Sequence, residues 1–364
     1  MPNKQRNILI IAYAFAPNKR VGALRASYWY KYLGDACNAR VSVITGETEA
    51  KGENVYFVKK EGTSILQKVI ADDGVIWKKN IKHFLEIESG INPDIVIITG
   101  GPFMHFSLSK WLKKKFDCKV ILDYRDPFAI NPGFDNGKLK TAIKKWFERG
   151  FNRCADALIT VNEHCAKIIA NFDSKPNRII QNGYDESVEC NPKPVKLSDS
   201  ATFSYAGKFY FPPGNMEKAL EESSLSLTYI GGDEKALDLN NEYVSSLGFV
   251  NYDKAISVIG NSDVGIIQTI GHEFQSTTKI FDYVRCNRAI LIISNDKIRC
   301  GSIHEELKEY PNVFWAKNTI QDIFRSLEDI KKSKYILPSE GFSEKYSRGN
   351  QLQYLVELID EVSK

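Results

Sequence analysis

Short runs of apolar residues alternate along this chain with longer stretches in which apolar positions recur every three or four residues. The runs in the first half are Ile8–Ala12, Val41–Thr45, Val55–Val58, Ile95–Thr99, Val120–Asp123 and Ala157–Val161. Each has the length of a strand buried on both faces. Helical spacing covers Ala23–Leu33, Ile65–Ile87, His105–Lys115, Leu139–Arg153 and Glu163–Asn171. Such alternation predicts a doubly wound parallel sheet. The rhythm breaks between residues 181 and 199, where Asn182-Gly183, Asn191-Pro192 and Pro194 mark turns that suit a join between domains. Strand and helix signals resume at Phe203–Ala206, Leu225–Ile230, Tyr252–Asn261, Val264–Gln268, Ile280–Arg285, Ala289–Ile293 and Ile320–Lys331, and Gln351–Ile359 has helical spacing. The expectation is an α/β chain with one domain over 1–185, a second over 186–345 and a terminal helix over 346–364.

The chain has 364 residues, more than one hydrophobic core usually serves, which supports that division. An apolar share of 43% and a charged share of 26% argue against extended disorder. No run approaches the roughly 18 apolar residues that span a bilayer, and Met1-Pro-Asn-Lys-Gln-Arg6 leads straight into the first strand. A cytoplasmic protein is therefore expected. Seven cysteines form no Cys-x-x-Cys pair, which fits reduced thiols and speaks against a disulfide framework or a structural zinc.

Charge divides the chain unequally. Residues 1–185 hold 29 Lys and Arg against 19 Asp and Glu, whereas the remainder holds 20 against 26. The basic excess gathers in Lys110–Phe116 and Lys138–Arg153, interleaved with aromatic residues. Two readings of these stretches stand. They are surface helices whose Trp and Phe face the core, or they dock peripherally on anionic membrane, where each basic residue contributes roughly 1 kcal/mol. Neither stretch forms a nucleic-acid recognition module, and no nucleic-acid partner is expected.

The segment from Gln268 to Leu291 carries the clearest chemistry: a buried strand ends in a polar loop that opens a short helix. Thr277, Thr278 and Lys279 stand where the free N–H groups of a helix start face a ligand, and Asp282 follows one turn later. A phosphate joined to a ribose suits both. A lysine at a helix start opposes the dipole unless an anion sits beside it, whereas the threonines could simply cap the helix. Gly22 opens another helix, where the missing Cβ would let the main chain approach a diphosphate, and Arg25 one turn on could add charge. The plainer alternative there is a helix-start glycine beside an exposed arginine. Arg125 and Asp126 follow a strand at the carboxyl edge, where open α/β sheets bind ligands, or they merely pair and cap the loop. Gly100, Gly101 and Pro102 end another strand near His105, although a lone histidine is commonly structural. The chain has no Asp-x-Asp motif, since Asp123 and Asp126 are separated by two residues and Asp72-Asp73 are adjacent. Compensation of a diphosphate would fall to Lys, Arg and helix starts, without a metal.

Taken in order with Tyr13–Arg25, Thr99–Phe103, Ile121–Phe128, Gln181–Asp185, Tyr205–Lys208 and Leu247–Val250, these segments resemble the retaining GT-B glycosyltransferases of glycosyltransferase family 4. The resemblance covers nearly the whole chain. It implies a GT-B fold of two Rossmann-like domains facing a central cleft, with the last helix crossing back to the N-terminal domain. It further implies a metal-independent hexosyltransferase without a cofactor. The sugar would pass from a nucleoside diphosphate sugar to a hydroxyl of a glycan or lipid-linked glycan, as in bacterial surface polysaccharide assembly. By resemblance, Lys208 after Gly207 is the basic residue that faces the phosphates, though it could be an exposed turn lysine. Asp282 falls on the last acidic position of the family's Glu-x7-Glu pattern, the ribose ligand. The first position falls on Phe274, so a sugar-binding role for the neighbouring Glu273 stays open. Phe249 and Val250 lie in the loop whose main chain meets the nucleobase. Asp126 would orient the acceptor hydroxyl or stabilise charge at the anomeric carbon, with Arg125 balancing it, and Gly101 and His105 would shape the acceptor pocket. Two rivals remain: a GT-B sugar-nucleotide 2-epimerase, for which the second half offers only His272 and His304, and a catalytically silent scaffold subunit.

Overall fold

The computed structural model describes residues 5–18, 21–131 and 137–364. The chain divides into two compact units: Met1–Asn182 with Arg348–Lys364, and Gly183–Ser347.

The first unit is built on seven parallel strands: β1 (Arg6–Ala12), β2 (Ala39–Thr45), β3 (Val55–Phe57), β4 (Ile95–Thr99), β5 (Lys119–Tyr124), β6 (Ala157–Thr160) and β7 (Asn177–Ile179). Their order is β3-β2-β1-β4-β5-β6-β7, with Ile8 of β1 opposite Val41 on one side and Ile95 on the other. All five residues of β4 are buried, as a strand covered on both faces requires. The helices are α1 (Val21–Cys37), α2 (Ile65–Ile70), α3 (Gly74–Ile87), α4 (Ser109–Phe116), α5 (Gly137–Cys154) and α6 (Glu163–Ile168).

Two helices differ from their sequence expectation. The continuous helix expected over 65–87 is broken into α2 and α3 because Ala71 takes a left-handed conformation (φ 55°) and Asp72 turns inward. The Asp72 carboxylate accepts from the main-chain N–H groups of Gly74 (2.9 Å), Phe103 (2.8 Å) and Met104 (3.0 Å). Those bonds satisfy a buried acid and fix the loop that follows β4. The helix expected from His105 begins as a 3₁₀ turn over Met104–Leu108 before α4 takes over.

The second unit holds six parallel strands: β8 (Thr202–Ala206), β9 (Ser226–Ile230), β10 (Val244–Ser246), β11 (Val264–Thr269), β12 (Ala289–Ser294) and β13 (Val313–Lys317), in the order β10-β9-β8-β11-β12-β13. Around them lie α7 (Gly214–Glu222), α8 (Tyr252–Asn261), α9 (Lys279–Arg285), α10 (Gly301–Leu307) and α11 (Ile320–Lys332). Asn251 and Thr319 cap α8 and α11 by accepting from the main chain three residues on. The final helix, α12 (Arg348–Ser363), belongs to the first unit. Its Leu355 and Ile359 pack in one core with Ile8 and Ile10 of β1 and with Trp29 and Leu33 of α1, and Gln351 accepts from the N–H of Gln181 at 2.7 Å.

The strand order reverses between β1 and β4 in the first unit and between β8 and β11 in the second. Neighbouring connections leave such a point in opposite directions, opening a crevice at the carboxyl ends of the strands, which is where ligands of open α/β sheets bind. The candidate residues gather at these two edges.

Candidate functional site

In the second unit the edge is organised around Lys279, the first residue of α9. Its ammonium donates to the Tyr205 hydroxyl (3.4 Å) and the Lys208 carbonyl (3.5 Å), and lies 4.6 Å from the Tyr205 ring centroid and 5.4 Å from that of Tyr210. No carboxylate pairs with it among the described residues. Burial pulls its pKa down from 10.5 to about 8. The result is a desolvated cation held by phenols and a carbonyl, short of a full counter-charge. Gly207 makes the approach feasible. It sits at φ 96°, where only glycine is unstrained, and a Cβ there would stand 3.2 Å from Cε of Lys279.

The surrounding loops are tied down by buried groups. Gln268, wholly buried near the end of β11, accepts from the N–H of Tyr210 (3.0 Å) and sets the 208–211 turn. Gln275 accepts from the Thr269 hydroxyl (2.8 Å) and the Ile270 N–H (3.1 Å), while Ser276 donates to the buried Glu306 of α10 (2.8 Å). Thr278 makes no side-chain capping bond to α9, and Thr277 offers its hydroxyl only weakly to the Lys279 N–H, at 3.4 Å. Asp282 accepts a hydrogen bond from Tyr252, the first residue of α8. Phe249 is 70% exposed and Val250 packs partly into the core. Between them and β9, Gly248 takes φ 64° and its carbonyl accepts from the Gly231 N–H. Lys208 is exposed on the same turn as Gly207. Glu273 has an exposed side chain, and its carbonyl accepts from the Ser302 N–H at 2.7 Å. That contact depends on Gly301, where a Cβ would come 2.4 Å from the Glu273 carbonyl oxygen.

In the first unit the edge is dominated by two arginines. Arg25 is 4% exposed and bound bidentately to the buried Asp123 (2.9 and 3.2 Å), and it also donates to the carbonyls of Ile180 (2.8 Å) and Gln181 (3.1 Å). The expectation that it adds charge for a diphosphate gives way to an inward-facing guanidinium, because Asp123 on β5 and the end of β7 consume its donors. Arg125, not Arg25, lies beside Gly22 at the start of α1. Its guanidinium donates to the Gly100 carbonyl and lies over Gly22, where a Cβ would come 1.7 Å from its Nη1. The bare Cα of Gly22 thus accommodates Arg125. Asp126 is exposed beside it, and Gly101 takes φ 76°.

His105 is the other correction. Its ring is fully buried, donates through Nε2 to the Thr99 carbonyl (3.1 Å), and meets Trp77 edge-on at 5.0 Å. Burial lowers its pKa to about 3, so it is a neutral core residue and not part of an acceptor pocket.

Sequence reasoning missed Asp72, Tyr252, Gln268, Gln275, Glu306 and Gly301. The signal available was limited to buried polar residues inside strand or helix patterns, such as Gln268 at the end of an apolar run.

The two doubly wound, parallel-sheet units define the GT-B fold. Among solved structures, the chain is similar to the apo form of the lipopolysaccharide outer core galactosyltransferase WaaB, with a TM-score of 0.64, 12% identity, and 98% and 99% of the two chains covered. It is similar also to the glycotransferase of kitacinnamycin (TM-score 0.59, 10% identity, 99% and 100% covered). A third is Arabidopsis thaliana UGT89C1 complexed with quercetin (TM-score 0.56, 12% identity, 99% and 100% covered). No family model and no curated protein sequence matches the chain.

Proposed function

We propose that this protein is a retaining, metal-independent glycosyltransferase that moves a hexosyl unit from a nucleoside diphosphate sugar to a hydroxyl of a glycan or lipid-linked glycan. The observation that carries this reading is Lys279: a desolvated lysine without a carboxylate partner among the described residues, at the carboxyl edge of the second unit's sheet. A diphosphate supplies the anion it lacks, and its charge grows as the anomeric bond breaks, so the same contact strengthens toward the transition state. The turn at Gly207 brings the exposed Lys208 to this edge, and Asp282 follows on α9 to take the ribose hydroxyls. Phe249 and Val250 lie in the loop assigned to the base. In the first unit, Arg125 and Asp126 form the acceptor side. The departing phosphate oxygen takes the acceptor proton, so no dedicated base is required and Asp126 acts electrostatically. The similar solved structures, a lipopolysaccharide outer core galactosyltransferase and a glycotransferase of kitacinnamycin, agree with this reading.

A panel of UDP, GDP, ADP and their sugars tests it by thermal shift. The matching nucleotide, at 100 times its dissociation constant, adds about 2.7 kcal/mol to the stability of the second unit. No shift with any nucleotide would refute the reading.

Bacterial surface polysaccharide assembly would place the acceptor at the inner face of the membrane, and the surface of the first unit suits that position. Ile65 and Val69 on α2 and Leu139 and Trp146 on α5 are exposed, Trp146 by 70%, contrary to the alternative in which the aromatics of α5 all face the core. The one acid on α5, Glu148, is buried, so the exposed face carries Lys138 and Arg149 without an opposing charge of its own. Among the described residues no helix is long and apolar enough to cross a membrane. Co-sedimentation with phosphatidylglycerol vesicles should exceed that with phosphatidylcholine, and Trp146→Ala should weaken it roughly tenfold, the equivalent of burying one large apolar side chain. Equal binding to both vesicles, or none, would exclude the membrane contact.

A further inference from the structure

The first segment of the second unit, from Tyr184 to Lys193, lies along the end of α9. Arg285, the last residue of that helix, donates to the carbonyls of Asp185 and Val188 and stands 5.0 Å from the Tyr184 ring centroid. Arg288 is buried and donates to the carbonyls of Cys286, Ser262 and Lys193, each at 2.6 Å. Between these two anchors the sulfurs of Cys190 and Cys286 stand 2.9 Å apart, 96 residues distant in sequence. Cys190 is half-buried, whereas Cys286 has no exposed surface.

We propose that Cys190 and Cys286 form a thiol-modification site: Cys190 is attacked by small-molecule disulfides, and Cys286 resolves the adduct into an internal disulfide. The groups facing the pair support the division of labour. The hydrogen bond shared with Cys286, in which either thiol can donate, lowers the Cys190 pKa to about 7; Arg285 and Arg288 add to the effect, while burial and Asp282 oppose it. The same bond, together with burial, raises that of Cys286. Burial pushes the thiols of Cys37 and Cys118 up to about 11, which leaves them poor nucleophiles at neutral pH.

The chemistry closes without another reactant. The Cys190 thiolate attacks one sulfur of the external disulfide, that S–S bond breaks, and one small thiolate leaves and takes a proton. Cys286 then loses its proton and attacks Sγ of Cys190. The mixed S–S bond breaks and the second small thiol departs. Two protein thiols are oxidised and one external disulfide is reduced to two thiols. The product links the 184–193 segment to the end of α9, whose first turn carries Lys279 and Asp282.

Glutathione disulfide at neutral pH tests the assignment on the full chain, independently of any sugar transfer. Mass spectrometry should find a chain lighter by two hydrogens, with free thiols falling from seven to five and a peptide joining Cys190 to Cys286. The unfolding temperature should rise, and dithiothreitol should reverse both changes. Cys286→Ser should stop at glutathione on Cys190. Cys190→Ser, at the more exposed position, should keep the fold and leave Cys286 unmodified. Seven free thiols after treatment, a link between other cysteines, or wild-type protein that retains glutathione on Cys190 without closing the ring would each overturn the proposal.

Discussion

Replacing Lys279 by methionine should reduce turnover about 10²–10³-fold, the cost typical of removing one hydrogen-bond donor to a developing anion, while making the protein itself more stable. The two effects share one cause. The ammonium is taken from water and receives two long hydrogen bonds, at 3.4 and 3.5 Å, and two tyrosine ring faces in return, but no carboxylate among the described residues, so it carries a desolvation cost that a diphosphate would offset. The pH dependence follows from the depressed pKa of about 8 against 10.5 for an unperturbed lysine. Below pH 8 both folded and unfolded chains carry the proton, and the cost is present in full. Between about 8 and 10.5 the unfolded chain binds more protons than the folded one, so the Lys279 contribution to stability becomes less unfavourable as pH rises. Affinity for a diphosphate should move the other way and fall through pH 8, because only the protonated amine attracts it. Melting curves and nucleotide titrations of wild type and Lys279→Met across this range would resolve the opposing slopes. A variant no more stable than wild type, with unchanged turnover, would remove Lys279 from the site.

The largest stability loss is expected at the Arg25–Asp123 pair. Both side chains are buried, at 4% and 0% exposure, so Arg25→Ala leaves a carboxylate in the core of the first unit with its principal partner gone. Breaking such a pair typically costs about 3–5 kcal/mol, a large part of the stability of an ordinary domain. Arg25→Ala also frees the carbonyls of Ile180 and Gln181, at the point where the chain leaves β7. Replacing both partners by apolar residues of similar size should recover much of the loss, because the penalty lies in stranding one charge more than in losing the attraction. Thermal or denaturant unfolding of the two single variants and the double variant measures this directly. Singles that unfold like wild type would mean that the pair is not buried in solution.

The longer strands were legible because parallel strands covered on both faces appear as unbroken apolar runs: Ile95–Thr99 matches β4 residue for residue. The three-residue β7 and β10 are too short to establish a period and escaped notice, as did the five-residue β13, only one of whose residues is fully buried. The break between α2 and α3 was hidden for another reason. Asp72 interrupts the helix by bonding to residues 103 and 104, a relation no local pattern contains. The same limit explains the arginines. Sequence places Arg25 one turn into a helix and Arg125 after a strand, but only the fold shows Asp123 claiming the first while the second rests against Gly22. Lys279 could be singled out because a lysine beside a helix start is electrostatically unfavourable without a nearby anion. Glu306, which holds Ser276, gave no comparable signal: an acid in a helix pattern is ordinarily solvated.

The most direct test of the account is a crystal of the full chain grown with the nucleoside diphosphate that gives the largest thermal shift. The diphosphate should lie within hydrogen-bonding distance of Lys279 Nζ and beside the Gly207 turn, with a ribose hydroxyl on the Asp282 carboxylate. Nucleotide bound elsewhere, with the Lys279 ammonium still resting on Tyr205 and the Lys208 carbonyl, would contradict it.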